Sequence, residues 1–145
     1  MNEEQKEKIK NFLKNNKFAV IATNSSSGYP ESAIVGFLGT DEGDIIFRSL
    51  SDSRKNQNIK INPKVSLVVL SDNKEWKTLQ IEGLARLLTT EEVSMVEDEH
   101  CEKNKAYEAY KSNPLNEYFI VEPVLFKYSD LSVAPQEVFE FSNTI

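Results

Sequence analysis

The sequence predicts a mainly β fold with short helices, an α+β protein built on an antiparallel sheet or barrel. Three observations carry that prediction. Segments rich in β-branched and aromatic residues recur along the chain and are joined mostly by short turns, the pattern of antiparallel strands. The helical stretch between two of the central strands, residues 53–61, is too short for a comfortable parallel crossover, which argues against a doubly wound fold. The chain has 145 residues, no repeat and no long linker, so residues 1–145 are expected to form one domain.

The elements follow in order. Asn2 can cap a helix, and Gln5 sits where a capping box wants its partner. Ile9, Phe12 and Leu13 then make a narrow apolar stripe at helical spacing, so this first helix should lie on a surface. Phe18 to Thr23 is a strand that is apolar on both faces, and is expected to be buried on both. Asn24 to Pro30 holds three serines, Gly28 and Pro30 and reads as a turn. Glu31 to Leu38 is a second strand, with Ala33, Val35 and Phe37 on one face. Thr40 to Asp44 is a turn, and Asp44 to Ser49 a third strand.

Ser51, Asp52 and Ser53 then offer N-cap oxygens to a helix over Arg54 to Ile61, which Asn62-Pro63 ends. Val65 to Leu70 is a strand, Ser71 to Asn73 a turn, and Thr78 to Leu88 a long strand. Gly83 inside that strand signals a bulge or a close backbone approach. Thr90, Glu91 and Glu92 open a helix running to about Glu102, and Lys105 to Lys111 continues it after a break. Tyr118 to Tyr128 forms one or two strands, and Val138 to Phe141 a last short one.

Charge and cysteine content narrow the function classes. The net charge is −6 and the sequence pI is about 4.9, which disfavours nucleic-acid or anionic-membrane partners. One cysteine, Cys101, excludes an internal disulfide and fits a reducing compartment. No apolar run approaches the ~20 residues that span a bilayer, and Met1 to Lys17 lacks a signal-peptide core. A cytoplasmic protein is the expectation.

One segment concentrates chemistry. The chain has three arginines, Arg48, Arg54 and Arg86. Two of them flank Ser49, Ser51 and Ser53, and Lys55 follows at once. The cluster sits where a strand leads into a helix N-terminus, whose unpaired N–H groups and positive dipole end favour an anion. Arg adds a fork that matches phosphate oxygens, and Lys a point charge. The run from Arg48 to Lys55 therefore reads as a phosphate pocket, with Asp52 turned away. Spacing alone leaves open a plainly solvated helix start.

Phe47, Ser49, Ser53-Arg54-Lys55, Asn62-Pro63, the strand Val65 to Leu70 and Ile81-Glu82-Gly83 stand in the order of a known pattern. In it the chain resembles the pyridoxamine 5'-phosphate oxidase-like, FMN-binding split-barrel family, and its general stress protein-like short members above all. The opening hairpin with Gly28-Tyr29-Pro30 is similar to that family's first two strands. The resemblance implies a six-stranded antiparallel split β-barrel that binds FMN between two subunits of a homodimer. It implies that Arg54 and Lys55 bind the FMN phosphate, with Arg48, Ser49 and Ser53 beside them. Ala33, Ile34 and Val35 would run along the flavin ring and offer it backbone groups. Thr78 stands where many members carry a flavin-contacting Gln, and Gln80 lies two residues on. An Arg that many members place near Ala33 is missing. So are the C-terminal Arg and His with which the pyridoxamine phosphate oxidases meet their substrate.

The remaining candidates have plainer readings. His100 and Cys101 are adjacent on a helix, point about 100° apart and cannot converge on a metal or form a catalytic pair, so no metal site is expected. Tyr107 and Tyr110 read as packing residues, and Glu97-Asp98-Glu99 as a solvated face. The resulting expectation is an FMN-dependent oxidoreductase acting on a small molecule, with no catalytic side chain assigned. A flavin-binding stress or sensor protein without turnover is the alternative, as is a related barrel using haem or a deazaflavin.

Overall fold

The computed structural model describes residues 1–71 and 75–142. Its elements are α1 (Glu3–Asn15), β1 (Phe18–Asn24), β2 (Pro30–Gly39), β3 (Ile45–Leu50), α2 (Arg54–Ile61), β4 (Lys64–Leu70), β5 (Lys77–Leu87), α3 (Thr90–Lys103), a 3-10 helix (Lys105–Tyr110), β6 (Asn116–Asp130) and β7 (Glu137–Ser142). The turn expected at Ser71 to Asn73 falls mostly outside the described residues.

The strands run in the order β3-β2-β1-β4-β5-β6-β7, and β3 also pairs with β6. That pairing closes six strands into an antiparallel barrel, as the resemblance implies, and β7 adds an outer strand. β6 makes the closure possible because it is long, at 15 residues. One edge of it pairs with β5. The other edge takes β3 along residues 116–121 and β7 along residues 125–130. Register shifts between Glu82 and Gly83, where β5 bulges against β6. A Cβ on Gly83 would lie 2.6 Å from Val121 Cγ1 and 2.8 Å from the Glu122 carbonyl oxygen, so the strands approach here as only glycine permits.

The core fills the barrel with the alternate residues of every strand. Phe37, Phe47 and Phe119 are fully buried, and the rings of Phe47 and Phe119 stack at 5.4 Å. Helix α1 closes one end with Ile9, Phe12 and Leu13. Its start is set by the expected capping box: Asn2 Oδ1 accepts from the Gln5 amide at 2.8 Å, and Gln5 Oε1 from the Asn2 amide at 3.1 Å. A second apolar cluster, Leu38, Ile46, Tyr118 and Ile120, lies outside the barrel wall, under Val93 and Val96 of α3.

The expectation that β1 is buried on both faces is corrected. Ala19, Ile21 and Thr23 point into the barrel, but Phe18 is 54% exposed and Val20 and Ala22 are only half-buried. This outer face, which β4 and β5 extend, is open at Phe18, Ile34 and Leu70, each more than half exposed.

Candidate functional site

The barrel is split where β2 and β3 part. They pair only from Phe37 to Gly39 against Ile45 to Phe47. Beyond that, β3 continues along β6, and the edge of β2 before Phe37 is left without a strand partner. The gap holds a cavity of about 390 Å³, lined by Ile34 and Val35 of β2, Arg48, Ser49 and Leu50 of β3, Lys55 of α2, and Ala106, Tyr107, Tyr110, Asn113 and Asn116. Among the described residues no aspartate or glutamate lines it, although the chain carries 23 of them.

Two cations in this wall have no carboxylate within ion-pair distance among the described residues. Arg48 is 7% exposed. Its Nη2 donates to the Tyr107 carbonyl at 2.9 Å, its Nη1 lies 4.0 Å from Cys101 Sγ, and its guanidinium sits 4.6 Å from the centre of the Tyr107 ring. Lys55 is half-buried, and that burial lowers its pKa. A charge taken from water without a counter-charge is unfavourable, so both cations favour an anion in the cavity.

The start of α2 supports the same charge preference. Ser53 is the N-cap, but its side chain makes no capping bond and the first turn carries no acid. The Ser53 hydroxyl donates instead to Asn56 Oδ1 at 2.7 Å, and lies 3.5 Å from Lys55 Nζ and 3.3 Å from Ser49 Oγ. Asn56, fully buried, donates to Glu117 Oε1 at 3.1 Å, and Lys60 holds Glu117 from the other side at 2.7 Å. This chain of bonds fixes Ser53 and leaves the first-turn N–H groups of α2 for an acceptor from outside.

The other residues singled out in the sequence are placed elsewhere. Arg54 is 85% exposed and its Nη1 pairs with Glu31 Oε2 at 3.1 Å, outside the cavity lining. Glu31 is itself held by Asn58, which donates to Glu31 Oε1 at 2.8 Å and to Thr23 Oγ1 at 3.0 Å. The Asn58 bond, ahead of the Arg54 bond, keeps the Glu31 carboxyl below its usual pKa. Asp52 is exposed and outside the lining. Ala33 is partly buried against the core. Thr78 and Gln80 stand on the outer face of β5, where Gln80 pairs with Val68. The structure thus unites Ile34, Val35, Arg48, Ser49 and Lys55, with Ser53 adjoining, and leaves Arg54, Thr78 and Gln80 outside this cavity.

Tyr107 and Tyr110 were legible only as packing residues. Three apart on a 3-10 helix, they share a face, and that face is a cavity wall. Helix α3 carries His100 and Cys101 inward, both buried. The His100 ring stacks on Tyr107 at 5.1 Å, and burial pushes its pKa down to about 4.

The family model described as Pyridoxamine 5'-phosphate oxidase matches residues 5–140. No curated protein matches the chain. Several solved structures share its fold. One is a protein from Clostridium acetobutylicum related to general stress protein 26 of B. subtilis (17% identity, TM-score 0.77, covering 98% of this chain and 96% of that one). Another is a pyridoxamine 5'-phosphate oxidase-related, FMN binding protein from Nostoc punctiforme PCC 73102 (15% identity, TM-score 0.68, 96% of each chain). A third is a heme binding protein from Mycobacterium smegmatis (12% identity, TM-score 0.83), of whose length this chain spans 60% while 99% of its own is covered. At such identities the likeness shows the fold.

Proposed function

The chain belongs to the pyridoxamine 5'-phosphate oxidase family, and from that premise we propose that it is a flavoprotein that holds FMN in the cavity between β2, β3 and the 3-10 helix. The carrying observation is the pair of cations, Arg48 and Lys55, that line a cavity free of acids and lack a carboxylate partner among the described residues. Together with the uncapped start of α2 they suit a phosphate monoester. The volume is within the range of small-molecule sites. Ile34 brings main-chain donors and acceptors to the same space. When bound, FMN supplies the hydride or electron transfer itself, so the side chains need only seat it and leave a small acceptor room.

The FMN reading is preferred to haem because the chain's one histidine is fully buried against Tyr107 and is not among the cavity-lining residues. A FMN binding protein and a heme binding protein both occur among the similar structures.

The reading includes a homodimer working in the cytoplasm. On the outer sheet face Ile34, Val20, Val68 and Gln80 stand in one row across four strands. Ile34 is 71%, Phe18 54% and Leu70 53% exposed. A contiguous apolar face of this kind marks an association site. Ile34 belongs to both this face and the cavity, so a second copy laid on the face by a two-fold would complete the cavity wall.

The test is a visible absorption spectrum of the purified protein before and after adding FMN. Flavin bands that co-purify or grow on addition, and weaken in Lys55→Ala, support the reading. A protein that stays colourless and ignores FMN overturns it. Sedimentation of the wild type and Leu70→Lys checks the dimer: a dimer that the lysine dissociates is expected, and a monomeric wild type with cofactor bound would refute it.

A further inference from the structure

The exposed edge of β2 is stopped at one end. The Gly36 amide donates to Tyr107 Oη at 2.9 Å, and the Gly36 carbonyl oxygen lies 3.4 Å from His100 Nε2. These two rings, stacked within 16° of parallel, stand where a residue of β3 would otherwise pair. No side chain fits beneath them, since a Cβ on Gly36 would lie 2.9 Å from both Asn104 Oδ1 and Tyr107 Oη. Arg48 braces Tyr107 through its carbonyl and its ring.

Strand geometry repeats every two residues. The next residue that turns its N–H and C=O to this edge is therefore Ile34, which lines the cavity. Its pairing with β1 leaves that side free, and pairing with β3 begins only at Phe37.

We propose that Tyr107 and His100 are positioning residues that act as a register stop. They occupy Gly36, so within the cavity, which Ile34 lines and Ser32 does not, a flat ring lying along β2 is read at Ile34. An adjacent N–H and C=O on one strand edge complement a ligand edge that sets an acceptor beside a donor. That is the edge of a lactam or imide heterocycle, and the flavin ring has one. Without the stop, Gly36 offers the same donor–acceptor pair about 7 Å further along, and the ring has two registers. This inference rests on the FMN reading of the cavity.

Tyr107→Ala removes the ring that covers the Gly36 edge. Tyr107→Phe, which keeps the ring and loses only the oxygen that accepts from the Gly36 amide, is the folded control. The experiment compares wild type and both variants by NMR of isotope-labelled FMN, and by amide exchange at Gly36 without flavin. One set of flavin resonances is expected in the wild type and in Tyr107→Phe, and two in Tyr107→Ala. Gly36 exchange should quicken in Tyr107→Phe by roughly tenfold, the scale of one hydrogen bond. A purely structural role for Tyr107 would weaken binding or lower Tm without a second set. A single set in Tyr107→Ala, or unchanged exchange at Gly36 in Tyr107→Phe, overturns the register stop while the FMN reading stands. If the wild type takes up neither FMN nor the phosphate-free ring lumiflavin, the register stop falls together with that reading.

Discussion

Replacing His100 by Phe should flatten the acid side of the protein's stability profile. His100 is fully buried, stacks on Tyr107 and meets Tyr118 edge-on at 5.6 Å. Its pKa falls from 6.5 to about 4, through burial first, with the Arg48 and Lys103 charges adding to it and the Gly36 carbonyl opposing. Between those values the unfolded chain binds a proton that the folded chain does not. Stability therefore rises with pH through this window and is lost as pH falls through it. A shift of that size corresponds to about 3 kcal/mol, of which roughly 2 kcal/mol is already lost at pH 4.5. Urea unfolding followed by far-UV circular dichroism at pH 7 and pH 4.5 measures it. His100→Phe keeps a ring in the stack and cannot titrate, so its drop in stability should be smaller than the wild type's by about 2 kcal/mol. Carboxylates such as Glu92, held down to about 2 by Arg86, contribute equally to both proteins and cancel. Equal drops in the two proteins would refute the claim that a neutral, buried His100 is part of the folded state.

Three further outcomes follow from named contacts. Gly83→Ala drives a methyl against the Glu122 carbonyl and Val121 and should cost about 1–3 kcal/mol, read as a lowered denaturation midpoint. Phe47→Ala empties the centre of the Phe37–Phe47–Phe119 cluster and should cost about 3–5 kcal/mol, read by the same unfolding curves. Lys55→Ala should weaken FMN binding by tenfold or more, and Arg54→Ala by much less, because Arg54 is turned to Glu31; fluorescence titration with FMN at fixed salt checks the order.

Much of this protein could be read locally. Asn2 and Gln5 are three residues apart, and their reciprocal bonds depend on nothing beyond the first turn of α1. The strands were visible because a barrel wall wants one face inward, and the hydrophobic period records it. Arg48 and Lys55 could be placed at one site because a strand end and the next helix start lie within a few residues of each other.

What remained hidden depends on contacts across long stretches of chain. Whether Arg54 or Lys55 faces the cavity turns on Glu31, held by Asn58 from another element. Phe18 and Val20 read as buried because hydrophobicity tells that a face must be covered, not by what; in the fold Phe18 is 54% exposed on that face. Tyr107 and His100 reach Gly36 across 71 and 64 residues, and no local pattern marks such a meeting. Periodicity encodes the inside of the barrel, since every strand solves the same burial problem. The cavity wall arises only when β2 and β3 part and the segment after α3 folds into the gap, a geometry that the closure of β3 on β6 decides.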